Sequence, residues 1–420
     1  MRLHPILTAL RKHKAGVVLI SLQIALTLAI VCNIGFIIGQ HVERIQRPSG
    51  LVEDNLFLIT QRYIAAPPSD APDSIAKLDA MQLADLATLR QLPDVQFATP
   101  VTSLPLLRNP WGGSVTVSLN EPRNTTSVNT FTGDDQILQT LGLQLIAGRN
   151  FTASEIGRSA TQGEVQPPVA IVTKALADKL FPQGDALGKP IYINDNQSPS
   201  VIVGVVAHMI IADSDAPESI AWNSLLLPIR MDVATTRYAV RARPGRMQEA
   251  IDEARKALFQ VEPLRVIEQG GRYSLEGIQS FAHIRSVSYA KDIFMTQVLM
   301  TICMILLVVT GVGITGLTSF WVSQRNKHIG IRRALGARQL DILRYFQIEN
   351  LLIVGIGCIV GVGLAISINI GLMHAFELAR MPVWYVIIGV LTVLALGQIA
   401  AFVPAKRASK VSPLVATRSV

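Results

Sequence analysis

The chain has 420 residues, half of them hydrophobic and only 16% charged, with a mean hydropathy of +0.38. That balance excludes an assembly of ordinary soluble domains, and the 6% aromatic share leaves Ile, Leu, Val and Ala, which partition well into a bilayer as helix, to carry the apolar excess. A formal charge of +8 in a soluble protein would suggest nucleic acid, but here the Lys and Arg residues gather beside apolar stretches, so no nucleic-acid partner is expected.

Taken from the start, residues 1–14 carry Arg2, Arg11, Lys12 and Lys14 and lead into the first of four stretches without Asp, Glu, Lys or Arg. These stretches are 15–40, 293–324, 350–376 and 381–405, each long enough for the roughly 20 helical residues that cross a bilayer. Backbone amides in hydrocarbon must be satisfied within their own segment, so each is expected to be a helix. The expected spans are 15–40, 293–322, 350–373 and 384–403, with a short outer loop at 374–383 and a tail at 404–420. A second basic cluster, Arg325, Lys327, Arg332, Arg333, Arg338 and Arg344, joins spans two and three, and a third, Lys406, Arg407, Lys410 and Arg418, follows span four. Four spans bring all three clusters to one side, which the positive-inside rule makes the cytoplasm of a bacterial inner membrane. Both termini then lie inside and the residues between spans one and two outside. The first span reads as an uncleaved anchor, since its 26 uncharged residues exceed a signal h-region, no A-x-A site closes it, and Val31 rather than a small residue precedes Cys32.

The outer domain, 41–273, repeats a strand, helix, strand pattern near its two ends. In the first, Asn55–Thr60 is a strand, 79–92 a helix with Met81, Leu83, Leu86, Leu89 and Leu92 on one stripe, and Val95–Val101 a strand. In the second, Arg237–Ala242 is a strand, Gln248–Phe259 a helix with Ile251, Ala254, Leu258 and Phe259 on one face, and Leu264–Glu268 a strand. Helices with one apolar face each are expected to pack on one shared four-stranded sheet, a split βαβ lobe of about 51–103 and 223–270. Between them, 104–222 is rich in Gly, Pro, Asn and Thr, with strands at Ser114–Leu119, Val169–Val172 and Val201–Val206 and a helix at Lys174–Leu180, which fits an inserted, mostly β lobe. The fold class is thus membrane α-helical with a large α+β outer domain. Residues 274–292 lack Pro and are expected to run as a stalk helix into span two.

Chemistry is sparse. Cys32, Cys303 and Cys358 all fall in expected spans, and the seven histidines show no metal-ligand spacing, so neither a metal site nor a cofactor site is expected in this chain. Gly184 to Pro190 (GDALGKP) resembles a phosphate loop but has its glycines one residue too close and Pro190 where a hydroxyl would hold magnesium, so it reads as a surface turn. No catalytic constellation stands out, and catalysis is not expected. Few ionisable residues enter the spans, which argues against an ion-coupled transporter or a channel. Small residues recur as Gly35-x-x-x-Gly39, Gly311, Gly313 and Gly316, and Gly357-x-x-x-Gly361 with Gly363, which suits either packing within one bundle or a homodimer seam.

The most informative stretch is 323–349. Topology needs only a few charges there, yet it combines apolar Ile329, Ile331, Ala334 and Leu335 with Arg332 and Arg333, bounded by Gly330 and Gly336 and preceded by His328. Such an amphipathic element suits lipid headgroups or a protein groove equally.

Three runs resemble the FtsX-like permeases and, within them, the MacB-like type VII ABC transporters: IGIRRALGA at 329–337, ILRYFQIENLLIVGIGCIVGVGLA at 342–365, and PAKRASKVSPLVA at 404–416. Three more, GLQLIAGRNF at 142–151, VAIVTKALADKLFPQGDALGKPI at 169–191 and VIVGVVAHM at 201–209, resemble the MacB-like periplasmic core domain. The resemblance implies a dimeric permease in which ATP-driven closure of cytoplasmic ATPase subunits is passed to the periplasmic domain by mechanotransmission. It further implies that His328, Ile329, Gly330, Ile331, Arg332, Arg333, Ala334, Leu335 and Gly336 form the ATPase-coupling loop, tilting that stretch toward a groove. By the same analogy His4–His13 is an amphipathic segment along the inner face. The partners implied are an ABC ATPase subunit carrying ATP and Mg, a second permease copy or paralogue, a periplasmic adaptor with an outer-membrane duct, and membrane lipid. With 14 residues ahead of the first span, the ATPase is expected on a separate chain, and His328 stands where the family usually has Glu. The leading expectation is efflux through a tripartite pump; the alternatives are a regulator of a periplasmic enzyme or sensor and a lipoprotein-releasing permease.

Overall fold

The computed structural model describes residues 14–67, 73–109, 111–119, 125–159, 166–194, 196–376 and 379–410. The expected amphipathic segment His4–His13 and the end of the tail beyond 410 lie outside the described residues. In chain order the elements are α1 (Lys14–Gln46), β1 (Leu56–Tyr63), α2 (Ser74–Gln91), β2 (Val95–Pro100), β3 (Gly112–Thr116), β4 (Thr126–Thr132), α3 (Ile137–Leu141), β5 (Leu145–Gly148), β6 (Gly157–Ser159), β7 (Val169–Thr173), α4 (Lys174–Leu180), β8 (Pro190–Ile193) and β9 (Ser200–Val206). They continue with β10 (Ser224–Leu227), β11 (Ile229–Met231), β12 (Thr235–Ala242), α5 (Met247–Val261), β13 (Arg265–Val266), β14 (Ile278–Ser280), α6 (Phe281–Ser288), α7 (Ala290–Gln324), α8 (Asn326–Ala334), α9 (Gln339–Phe376) and α10 (Val383–Ser409). Two compact units result: Gln46–Lys291, and the helices on either side of it in the sequence.

In the first unit the sheet order β13-β1-β12-β2 interleaves the two strand, helix, strand halves, with β12 antiparallel to both β1 and β2. Helices α2 and α5 bury Leu86, Leu89, Ala250, Ala254 and Leu258 against Phe57, Ile59, Tyr238 and Val240 of the strands. This is the split βαβ layer expected from the two ends of the domain, with a fifth strand added. β14 pairs with β1 at Phe57–Ile59 while β13 takes Arg62 and Tyr63, so two short strands share one edge.

That fifth strand corrects the expected stalk. Residues 274–292 are not one helix: Gly277 takes φ +77°, where a Cβ would meet the Glu268 carbonyl oxygen, and the chain then forms β14, the short α6 capped by the Ser280 hydroxyl, and a break at Tyr289 before α7. A positive φ disfavours helix propagation, and no Pro is needed to stop it.

The inserted lobe is a seven-stranded sheet, β5-β9-β7-β10-β4-β3-β8, in which β8 also pairs with β9, so six strands close into a ring. Its interior holds Val115, Val172, Ile191, Ile202, Leu225 and Leu227. The lobe runs further than 222. β10 pairs with β4 and β7, and β11 with β6, so the chain returns to the first sheet only after Met231. All four residues of β10 are buried, which removes the alternation that marks a half-exposed strand. The GDALGKP run is a turn, with Gly184 and Gly188 at positive φ.

In the second unit α1, α7, α9 and α10 are each long and apolar enough to cross a membrane. α1 carries the buried seam Ile24, Leu28, Cys32 and Phe36, against which Ile353, Val354 and Cys358 of α9 and Val393 of α10 pack. A Cβ on Gly361 would lie 3.0 Å from Ala25 backbone, and one on Gly357 would overlap Ile24, so this glycine pair serves packing within the bundle, while Gly35 and Gly363 face open space. Thr27 shares a 2.7 Å hydrogen bond with Thr310, Asn33 donates to the Ala365 carbonyl and Asn350 to that of Gly397, tying neighbouring helices through polar groups. Near the other end of α1, buried Asp292 of α7 lies 2.6 Å from His41 and 3.4 Å from Arg44.

Candidate coupling site at the basic end of the helices

The stretch expected as a loop is mostly helical. α7 ends at Gln324, and a single non-helical residue, Arg325 (φ −103°, ψ 6°), separates it from α8. The Arg325 guanidinium places two 2.9 Å hydrogen bonds on Glu349, whose side chain is almost fully buried in α9. Both bonds come from Nη1 and together engage both carboxylate oxygens, a charge-assisted contact that fixes the direction in which α8 leaves α7.

α8 ends in a Schellman motif. Gly336 takes φ +96°, its N–H donates to the Arg333 carbonyl, and the Ala337 N–H donates to that of Arg332. α9 then starts with Asp341, which accepts from the Arg338 N–H at 3.1 Å and sets an acid in the first turn. The first three turns of α9, 339–349, are therefore helix continuous with the apolar stretch after Asn350.

The nine candidate residues divide into two groups. Ile329 and Gly330 are buried, Ile329 in a small core with Val322, Ile342, Phe346, Ala405 and Ala408. His328, Ile331, Arg332, Ala334, Leu335 and Gly336 are exposed, and Leu335 at 82% is among the most exposed large apolar side chains. Ile331 and Leu335, one turn apart, form an apolar ridge, and Arg332 beside it lies 5.1 Å from the centre of the Tyr345 ring. Arg333 is half-buried. The arrangement is a short, anchored helix whose outward face is apolar and basic, which a partner groove can grip without unfolding it. The sequence pattern counted Arg325 only as one of a basic cluster and did not single out Glu349, Tyr345 or Phe346. Glu349 left one trace, an acid at the edge of an uncharged run in a segment whose charges, Asp341 apart, are otherwise basic.

Comparison with known proteins agrees with this architecture. Residues 21–258, more than half of the chain, match the MacB-like periplasmic core domain, and residues 300–413 match the FtsX-like permease C-terminal domain. The macrolide export ATP-binding/permease protein MacB of Neisseria meningitidis is 26% identical over 80% of this chain and 49% of its own length. That of Burkholderia cenocepacia is 27% identical over 97% of this chain and 56% of its own. The chain thus spans about half the length of the curated relatives it matches, the permease part. The periplasmic region of MacB from Actinobacillus actinomycetemcomitans is similar over 58% of this chain and 96% of that structure, at 15% identity and a TM-score of 0.34. With the core-domain match covering most of the outer unit and the permease match covering the last three long helices, the chain belongs to the MacB-like, FtsX-like family of ABC transporter permeases.

Proposed function

We propose that this chain is the transmembrane subunit that couples ATP hydrolysis on a separate ABC ATPase subunit, which holds ATP and Mg, to a conformational change of its periplasmic domain, driving efflux through a tripartite pump. The three basic clusters support, by the positive-inside rule, a topology with α8 and both termini in the cytoplasm of an inner-membrane protein and Gln46–Lys291 in the periplasm. The observation that carries the reading is the exposed ridge of Ile331 and Leu335 with Arg332, on a helix fixed from behind by buried Ile329 and by Arg325 on Glu349. A ridge on a rigid mount transmits a push, whereas a floppy loop would absorb it. A second copy or a paralogue fits the face of α7 that exposes Met300, Met304, Ile305, Val308 and Val312. The relatives named as macrolide exporters support export, and the proposal adds a periplasmic adaptor and an outer-membrane duct as further partners.

Affinity purification of the tagged full chain from native membranes tests this. An ABC ATPase and an adaptor are expected to copurify. Replacing Arg332 and Arg333 together by Glu is expected to lower ATPase recovery by roughly tenfold or more, since reversing charge at a contact opposes association. Membrane insertion should be unchanged. Full recovery of the ATPase with the charge-reversed chain removes the coupling role from α8.

A further inference from the structure

Beside the coupling helix, a groove of about 500 Å³ runs between α9 and α10, lined by Leu343, Arg344, Gln347, Gln398, Phe402 and Val403 among others. Its walls are mostly apolar, as befits helices solvated by lipid tails, but its mouth is not. Arg344 lines it and makes no ion pair among the described residues. The Lys406 ammonium lies 5.8 Å from the centre of the Phe402 ring, on the same wall, and is exposed. Gln347 on the facing wall donates from its amide to the Gln398 carbonyl at 3.5 Å. With no carboxylate paired to Arg344 or Lys406 among the described residues, the mouth presents two cations to any anion in the surrounding lipid.

We infer that this groove is a binding site for an anionic phospholipid. One acyl chain would lie along Leu343, Phe402 and Val403, the phosphate would sit between Arg344 and Lys406, and the second N–H of the Gln347 amide would donate to a glycerol ester oxygen. The chemistry fits this occupant best: basic pockets between helices at the cytoplasmic boundary recognise acidic headgroups, and the volume falls in the range of small-molecule sites. A second copy of the chain would bring its own Arg344 and Lys406 toward the same mouth, and like charges oppose that pairing. The inference does not rest on the proposed ATPase coupling, because no residue of α8 lines the groove.

The test uses the purified full chain in nanodiscs of phosphatidylglycerol mixed with phosphatidylcholine, released into the gas phase for native mass spectrometry. The wild-type chain is expected to retain phosphatidylglycerol preferentially. Arg344→Gln and Lys406→Gln, both at exposed positions, should each reduce that preference about fivefold, the equivalent of about 1 kcal/mol per basic residue. Equal retention of the two lipids by the wild-type chain, or unchanged preference in both variants, overturns the inference. So does a disulfide-linked dimer of Ile399→Cys in native membranes above the level of the parent chain, since a second copy would then cover the groove. ATPase copurification measured on the same variants separates this outcome from failure of the coupling role.

Discussion

Two buried carboxylates in the outer unit show how differently burial is tolerated. Asp85, fully buried on α2, accepts from Gln61 and Tyr63 at 2.6 Å and Tyr238 at 3.0 Å, and pairs with Arg265 at 2.8 and 2.9 Å. Asp232, just past β11, is also buried, but neither of its carboxylate oxygens has a hydrogen-bond partner among the described residues. Burial, and next the charge of Asp79, push the Asp232 carboxyl up to about 7, against the pull of Arg230 and Arg158, both of which already pair with Asp79. An acid whose folded-state value is raised binds its proton more tightly in the folded chain, so its contribution is complete below the unfolded value of about 4 and is lost as pH rises through about 7. Asp232→Asn, which mimics the protonated form, is expected to raise the melting temperature by several degrees at about pH 8.5, by clearly less at about pH 5, and hardly at all below about pH 4. Thermal unfolding of the outer unit at these values, in the full chain, checks this; equal shifts at all of them would contradict it. The same residues explain what the apolar stripe of α2 misread. Asp79, Gln82 and Asp85 point inward because their partners satisfy them, while Leu83, counted as core, is 44% exposed. A pattern of apolar residues has no way of recording a polar side chain whose partners come from strands far along the chain.

Among the elements, the long apolar helices and the regular strands were legible and the short strands were not. Lys174–Leu180 begins and ends as its periodicity requires, and β1, β2, β7, β9 and β12 lie within three residues of their expected bounds. β5, β6, β8, β11 and β14 have three or four residues each, too few to establish a period, and their pairing is decided by neighbours elsewhere in the sheet. The glycine spacing of the spans was readable as a close approach but not as to which partner approaches. Gly361→Leu should force α1 and α9 apart and lower the melting temperature in detergent by several degrees, whereas Gly363→Leu, with no neighbour within 4 Å, should not. Similar losses in the two variants would mean that the glycines do not distinguish a packed from an open face. At the proposed coupling site, the amphipathic composition was visible from 328 to 336, but the division into an anchored side and a presented side was not. It depends on Ile342, Phe346 and Glu349, which come from α9.

For the whole molecule, the proposed topology makes a direct prediction. A cysteine placed at 150 should react with a membrane-impermeant maleimide in intact spheroplasts, and one placed at 330 only after the membrane is opened, although buried Gly330 is best replaced there by its exposed neighbour His328. Labelling of both positions from the outside would invert or collapse the four-span arrangement. The family assignment rests on two segments of the chain, residues 21–258 and 300–413, and the sequence carried both because the motifs in each lie in uninterrupted runs.

The β lobe leaves the first sheet after Pro100 and rejoins it at Thr235, on strands that lie side by side, with the Val101 N–H still bonded to the Arg237 carbonyl at 2.9 Å. An insert whose two attachment points are neighbours asks little of the scaffold that hosts it. It is a head on a fixed collar: residues can be added to or removed from the lobe without moving the register of the two strands that carry it.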